Sequence, residues 1–154
     1  MQLTIPLYTL NLAIEKMIIA QNMLDDEDSA VVIANLISMS AVEKNVLLLL
    51  DSKNNLIGAQ IIGIGGVNSV DVCIPEIFRT ALLAGARGII VGHNHPSGDP
   101  TPSDPDWNAA ITIADVARKL GINFIDSIIV SPSGRHESLR ERITYDHRHR
   151  QLVW

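Results

Sequence analysis

Apolar and polar positions change their period along the chain, and these changes mark the predicted elements. From Val46 a continuous apolar run, VLLLLD, is followed by the turn residues SKNN and by a second apolar stretch, LIGAQIIGIGG. This order predicts a β-hairpin. Residues 75–86 begin with proline and have Gly85 near their end, which predicts a helix. The run GIIV at 88–91 predicts a buried strand.

Helical spacing returns at 104–120, and Gly121 is predicted to end that helix. The apolar positions expected to face the core are Ala110, Ile113, Ala114, Ala117 and Leu120. Residues 122–130 predict a further strand, SPSG a turn, and HESL at 136–139 an edge strand.

The first part of the chain is less regular. Residues 7–24 have a loosely amphipathic pattern that predicts a helix, and the acidic stretch Asp25–Asp28 marks a boundary. Asp28 or Ser29 is expected to cap a second helix that runs through Met39. We therefore predict an N-terminal helical extension over 1–28 and one domain over 29–154. The element order gives the fold class α/β, a mixed β-sheet flanked by helices on both faces.

Composition narrows the class of protein. A chain of 154 residues with 47% hydrophobic and 19% charged residues favours a single folded domain, and with 4% aromatics its core must be aliphatic. The net charge of −5 argues against a dedicated nucleic-acid binder. We find no secretory signal and no apolar run of about 20 residues, so we expect no membrane contact and a cytoplasmic protein. The single cysteine, Cys73, excludes an internal disulfide, and we expect it to be a buried structural thiol.

The stretch VGHNHPSGDPTPSDPDW, residues 91–107, contains the candidate chemistry. If the strand extends that far, His93 and His95 point to the same side and can share one metal ion. A carboxylate would complete the set, and Asp99, Asp104 and Asp106 all follow. The same residues fit a plainer interpretation, because SDPD at 103–106 has the form of a helix-capping box. The two interpretations are compatible, since a cap at the serine would also aim the aspartate three residues later.

The spacing from His93 and His95 to Ser103 and Asp106 resembles the JAMM (MPN+) metalloprotease motif. The strings HNHPSGDPTPS and LLLDSKNNLI further resemble the JAB domain of the RadC family, over roughly residues 30–143. The resemblance implies a cytidine-deaminase-like α/β/α fold, the JAB/MPN fold, for the domain over 29–154, which ends in a short basic tail by its own sequence. It also implies Zn²⁺ held by His93, His95 and Asp106, with water in the fourth position.

JAMM enzymes also use a glutamate upstream of the histidines, and Glu43 and Glu76 are the candidates. Glu76 lies in the first turn of a predicted helix, where an acid is favoured without any catalytic role. Glu43 stands just before the VLLLLD strand, as the family's glutamate does, so we assign it as general base and acid. Ser103 is expected to donate to the developing oxyanion. Ser97 either orients a histidine or is an ordinary turn serine.

The expected function is zinc-dependent hydrolysis of an amide, peptide or isopeptide bond in a peptide or protein substrate. The alternative is a non-catalytic RadC-like module associated with DNA repair or replication. A zinc deaminase is disfavoured because its ligand set needs two cysteines.

The chain departs from the family pattern in three places. Ser127 follows Asp126 where the family commonly has histidine, and Cys73 stands where it often has another histidine. Residues 1–28 show no sign of the helix-hairpin-helix region that usually precedes the domain. The tail from 135 holds five arginines and a second H-x-H pair, His147 and His149. We expect a solvated basic tail there that contacts nucleic acid weakly or a partner chain, and apolar terminal residues that could support a homodimer.

Overall fold

The computed structural model describes residues 26–64 and 73–140, with the separate positions 12, 13 and 15. The helix predicted over 7–24 and the tail pair His147 and His149 lie outside the described residues. The described elements are α1 (Asp26–Ile37), β1 (Lys44–Leu50), β2 (Leu56–Ile64), α2 (Ile74–Leu83), β3 (Gly88–Asn94), α3 (Asp104–Leu120), β4 (Asn123–Val130) and β5 (His136–Ser138).

The five strands form one mixed sheet in the order β2-β1-β3-β4-β5. Strands β3 and β4 are parallel and are joined through α3, whereas the other neighbouring pairs are antiparallel. The predicted fold class, a mixed sheet flanked by helices, is confirmed. The carboxyl ends of parallel strands are where ligand sites usually form in such sheets, and the histidines lie at that end of β3.

The hairpin of β1 and β2 forms because its turn supplies its own hydrogen bonds. The Asp51 carboxylate oxygen Oδ1 accepts the backbone N–H groups of Lys53 and Asn55 at 2.7 and 2.9 Å. Asn54 takes a left-handed conformation with φ of 62°, which asparagine tolerates better than most residues. The turn signals in the sequence therefore place β1 correctly beside β2.

Strand alternation divides the core into two layers. Between the sheet and helices α2 and α3 lie these buried side chains: Leu47, Leu49, Ile77, Phe78, Ile89, Val91, Ile113 and Ile129. Between the sheet and α1 lie Ile33, Ile37, Val46, Leu48, Leu50, Ile90, Ile128 and Val130. Helix α1 approaches β3 closely at Gly92, where an added Cβ would lie 2.6 Å from Ile33 Cδ1. The helices therefore cover both faces of the sheet.

Some local predictions need correction. Helix α1 begins at Asp26, before the expected cap at Asp28 or Ser29, because acidic residues are favoured within a first helical turn. Leu120 was expected in the core but is 43% exposed, since the helix ends there and the chain turns at Gly121. Cys73 was expected to be buried, and this is wrong: the thiol is exposed at the N-terminal cap position of α2. Among the described helices, none has the length and apolar character to cross a membrane.

Candidate metal centre

The two histidines come from the end of one strand. Strand β3 extends to Asn94, beyond the predicted GIIV run, so His93 lies within the strand and His95 follows it directly. The backbone N–H of His95 donates to the carbonyl of Val130 at 2.9 Å, which holds this residue beside the end of β4. The two imidazole rings have centroids 4.9 Å apart. The strand therefore extends far enough for His93 and His95 to point to the same side, as a shared metal site requires.

The carboxylate comes from the first turn of α3. Ser103 caps this helix, and its backbone N–H and its hydroxyl both donate to Asp106 Oδ2, at 2.7 and 2.6 Å. The Asp106 N–H in turn faces Ser103 Oγ at 3.4 Å. This reciprocal arrangement is the capping box that the sequence predicts. It also fixes the carboxylate of Asp106 at the start of the helix.

The structure groups His93, His95 and Asp106 and does not include the two other candidate aspartates in the cluster. Asp99 accepts hydrogen bonds from the N–H and hydroxyl of Thr101 at 3.1 and 2.8 Å, so its carboxylate caps a local turn. Asp104 is exposed in the first turn of α3. Of the three aspartates, the site therefore selects Asp106.

The Nε2 atoms of the two histidines and the two oxygens of the Asp106 carboxylate lie at separations close to those between the ligands of a tetrahedral zinc site. His93 Nε2 lies 3.0 Å from His95 Nε2 and 3.2 Å from Asp106 Oδ1, and His95 Nε2 lies 3.6 Å from Asp106 Oδ2. Ligands at about 2.0–2.1 Å from a tetrahedral ion are separated by about 3.3 Å. Two imidazole nitrogens and one carboxylate oxygen are also the donor types that zinc accepts. The donor set therefore fits the implied ion.

A hydrogen bond fixes the tautomer of His95. Its Nδ1 lies 2.9 Å from the carbonyl oxygen of Asp99, which can only accept. Nδ1 therefore carries the proton, and in the neutral ring Nε2 offers a lone pair to the centre. Metal-binding histidines commonly donate their second ring N–H in this way. Ser97 contacts Asp99 rather than a histidine, because its Oγ accepts the Asp99 N–H at 3.4 Å.

The electrostatics of the cluster favour an ionised carboxylate. Burial alone would raise the pKa of Asp106, but hydrogen bonds from His93 and His95 outweigh burial and hold that pKa well below its usual range. The hydrogen bond to Asp106, against the opposing effect of burial, raises the pKa of His95, and Glu43 adds a smaller attraction. A metal ion needs ionised carboxylate and neutral imidazole, so it would compete with a proton at His95.

A pocket adjoins the cluster and contains the predicted glutamate. It has a volume of about 60 Å³, enough for a few water molecules or a small polar group. Its polar lining includes Glu43, His93 and Asp106, and its apolar lining consists of Val91, Pro105, Ala109, Ala110 and Ile113. The other candidate, Glu76, lies in the first turn of α2 and does not line this pocket. The structure therefore places Glu43 beside the histidine and aspartate, half-buried.

Two further polar residues line the same pocket, and sequence reasoning did not select them. Asn45 is 3% exposed and lies opposite His93 in the β1–β3 pairing, and Ser127 is 5% exposed and lies opposite Val91 in the β3–β4 pairing. A signal for Asn45 was present, because it stands two positions after Glu43, which is the spacing of side chains on one face of an extended chain. For Ser127 the signal was its place in the sequence, where the family commonly has histidine.

A mixed sheet with H-x-H at the end of a parallel strand and an aspartate at the following helix start defines a protein of the JAB class. The model of the RadC-like JAB domain matches residues 23–144, and the chain belongs to this family.

Curated relatives agree with this assignment. The chain is 42% identical to a UPF0758 protein of Carboxydothermus hydrogenoformans over 101 residues, which cover 66% of this chain and 45% of the relative. A UPF0758 protein of Chloroflexus aurantiacus is 39% identical over 70% of this chain and 47% of its own length. A UPF0758 protein of Clostridium perfringens is 39% identical over 75% and 50%. The chain therefore spans about half the length of the curated relatives it matches.

Proposed function

We propose that this chain is a zinc-dependent hydrolase of the JAMM type that cleaves an amide bond in a peptide or protein. The observation that carries the proposal is the cluster of three ligand atoms within 4.8 Å of one another, with Glu43 among the residues that line the adjoining pocket. Three protein ligands leave a fourth position open, which is the arrangement of catalytic rather than structural zinc. The family assignment supports the same class of chemistry.

His93, His95 and Asp106 would hold the ion. Zinc, when bound, supplies Lewis acidity and lowers the pKa of water to about 7, which provides a nucleophile at neutral pH. The Asp99 carbonyl orients His95 and the Ser103 cap orients Asp106, so both ligands are held before the ion arrives. Such outer contacts typically change metal affinity by 10–100-fold when they are removed.

Glu43 is the proposed proton carrier. Its carboxylate would take the proton of the attacking water and deliver it to the leaving amine, as general base and then general acid. Its position supports this role, because it is half-buried in the pocket beside His93 and Asp106. The apolar residues that also line the pocket would limit competing water.

Ser103 is the proposed oxyanion donor, and its position gives it a second role. The hydroxyl proton is directed at Asp106 Oδ2 at 2.6 Å, so the serine holds the proposed ligand and caps α3. To donate to an oxyanion, this hydroxyl would have to turn away from the carboxylate. The role as oxyanion donor and the role as support of Asp106 predict different outcomes for Ser103→Ala.

Elemental analysis after reconstitution with zinc tests the centre first. We expect about one zinc per chain in the parent and its loss in His95→Ala and Asp106→Ala. Asp104→Ala is the matched control, because Asp104 is an exposed acid in the same helical turn but outside the cluster. A parent protein without stoichiometric zinc would refute the proposal and leave the non-catalytic, DNA-associated module as the function to test.

Hydrolysis of a general peptide mixture tests the base. Glu43→Gln should retain zinc and lose about 10²–10⁴-fold in rate, because glutamine keeps the size of glutamate but cannot accept the proton. Glu76→Gln serves as the control, since Glu76 lies in the first turn of α2 and not in the pocket. Full activity in Glu43→Gln with zinc retained would contradict the assignment of the base.

A further inference from the structure

Asn94 lies between the two histidines, and its side chain is fully buried, with 0% exposure. Its amide makes three hydrogen bonds, all to residues about 50 positions earlier in the chain. Oδ1 accepts the Lys44 N–H at 2.8 Å, and Nδ2 donates to the carbonyls of Ser40 and Val42 at 3.2 and 3.3 Å. All three bonds therefore reach the Ser40–Lys44 segment, which leads into β1 and ends at the first residue of that strand.

The chemistry of this contact requires an amide side chain. The segment presents one N–H group and two carbonyl oxygens, and asparagine offers one acceptor and two donor hydrogens to match them. A carboxylate could accept the N–H but would face two carbonyl oxygens without a proton to share. An apolar side chain of similar size would leave all three backbone groups without these partners.

Little else holds the Ser40–Lys44 segment in place before the strand begins. Apart from the pairing of Lys44 with Ile64 in the β1–β2 ladder, its other described hydrogen bonds are local, from the Ser40 N–H to the Ile37 carbonyl and from the Val42 N–H to Ser40 Oγ. Ala41 is exposed and Val42 is 37% exposed, so apolar burial contributes little there. The long-range contacts of Asn94 are therefore the main restraint on the chain just before β1.

Glu43 belongs to this segment. The carbonyl of Val42 and the N–H of Lys44, which flank it, are both bonded to Asn94. On the neighbouring strand, the histidines that flank Asn94 belong to the proposed metal centre. Because successive side chains of a strand point to opposite faces, Asn94 can hold the segment while His93 faces the pocket. The stretch from His93 to His95 thus supplies two proposed metal ligands and, through Asn94, contacts the segment that contains the proposed base Glu43. The metal centre and the base are the two halves of the proposed catalytic apparatus.

We propose that Asn94 is a positioning residue that sets the place of the Glu43 carboxylate relative to the histidine pair. The inference rests on the proposed function, since it assigns a purpose to the fixed position of Glu43. It adds a residue that is neither a ligand nor a proton carrier. Substitution of Asn94 should displace Glu43 without removing any of the three proposed ligands.

Two variants of the full chain test this role. Asn94→Asp keeps the size and the acceptor oxygen, and Asn94→Leu removes all three hydrogen bonds. Thr80→Val is the matched control, because it removes another buried hydrogen bond, from Thr80 to Gln60 between α2 and β2, away from the centre. The first readout is amide hydrogen exchange of Lys44 in the metal-free protein, with Leu48 of the same strand as internal reference.

The second readout uses cobalt(II), a paramagnetic substitute for zinc, in protein with ¹³C-labelled glutamate. The cobalt-induced shift of the Glu43 carboxyl signal reports its position relative to the metal, and Glu43→Gln identifies that signal. We expect Lys44 exchange to accelerate by about tenfold in Asn94→Leu, since its N–H loses its partner. We also expect the Glu43 shift to decrease in both variants and to be unchanged in Thr80→Val.

The outcomes separate this inference from the function on which it rests. If the variants bind cobalt and the Glu43 signal is shifted as in the parent, the positioning role is overturned, whether or not Lys44 exchange has changed. If the parent binds cobalt but no glutamate signal is shifted, the proposed role of Glu43 fails, and the inference fails with it. A parent that binds no cobalt would refute the metal centre itself. A reduced Glu43 shift in both variants, with cobalt still bound, supports the inference.

Discussion

Removal of the Ser103 hydroxyl should weaken both the fold and the metal centre. In Ser103→Ala the backbone N–H still donates to Asp106 Oδ2, but the cap loses its acceptor for the Asp106 N–H and its 2.6 Å donation to the carboxylate. Replacement of an N-cap serine by alanine typically costs about 1 kcal/mol. We take this central value because the capping contact is long, 3.4 Å, and the residue is exposed.

Urea unfolding followed by circular dichroism measures the effect on the fold. With a dependence of about 2 kcal/mol per molar urea, a loss of about 1 kcal/mol lowers the midpoint by about 0.5 M. Zinc affinity, measured by competition with a chelator, should fall by about tenfold, because one of two donors to Asp106 remains. Thr112→Ala removes a hydroxyl from the same helix, where it donates to the Asn108 carbonyl, and should lower neither quantity.

The result that would refute this reasoning is a Ser103→Ala protein with the parent's midpoint and the parent's zinc affinity. If such a protein nevertheless hydrolysed peptides about 10²–10³-fold more slowly, Ser103 would act on the transition state rather than on Asp106. Loss of zinc affinity together with stability would instead identify the serine as the support of the carboxylate.

Three other predictions follow from the fold. Gly92→Ala should lower the free energy of unfolding by about 1–3 kcal/mol, because its Cβ would lie 2.6 Å from Ile33 Cδ1. Gly58→Ala should cost less, because its nearest neighbour would be 3.5 Å away. Equal urea midpoints for the two variants would contradict this prediction. Burial raises the pKa of Asp126 above its ordinary 3.8, although its hydrogen bonds oppose this. The contribution of Asp126 to the free energy of unfolding is therefore fully present below pH 3.8 and is lost as the pH rises through the folded-state pKa. The stability of the parent relative to Asp126→Asn should therefore fall as the pH rises above the ordinary value of 3.8, and a relative gain would exclude this account. Cys73 should react with a thiol reagent in the folded protein, and labelling that requires denaturant would show that the thiol is buried.

The elements and the neighbourhood of the cluster could be predicted because their signals are local. The histidine pair, the serine cap and three candidate aspartates lie within one strand, one loop and one helical turn, but the choice of Asp106 among those aspartates came from the family resemblance. Periodicity also found the hairpin, both later helices and their strands. Its error at Leu120 falls at the end of α3, where the pattern no longer determines which side chains are covered. The wrong expectation for Cys73 came from the usual burial of free cysteines and not from periodicity.

The rest of the site depends on pairing between distant strands. Glu43 was chosen from resemblance to a family rather than from its pattern, and nothing local indicated that Asn45 would lie opposite His93. A shift of one residue in the β1–β3 register would turn these side chains to the other face of the sheet. The bonds of Asn94 to the Ser40–Lys44 segment depend on the same register. Such contacts become visible only when the strands are aligned in three dimensions.

The two halves of the proposed catalytic apparatus close chain loops of very different length. The metal cluster joins His93 to Asp106 through one short connection, whereas the contact of Lys44 with Asn94 spans 50 residues. Loop-closure entropy grows with the logarithm of length, which makes the longer closure costlier by about 1 kcal/mol. Contacts of low sequence separation also tend to form first during folding. We therefore expect the ligand set to assemble before β1 docks, so that an incompletely folded chain could hold metal while lacking its base, and amide cleavage would begin only when the sheet is complete.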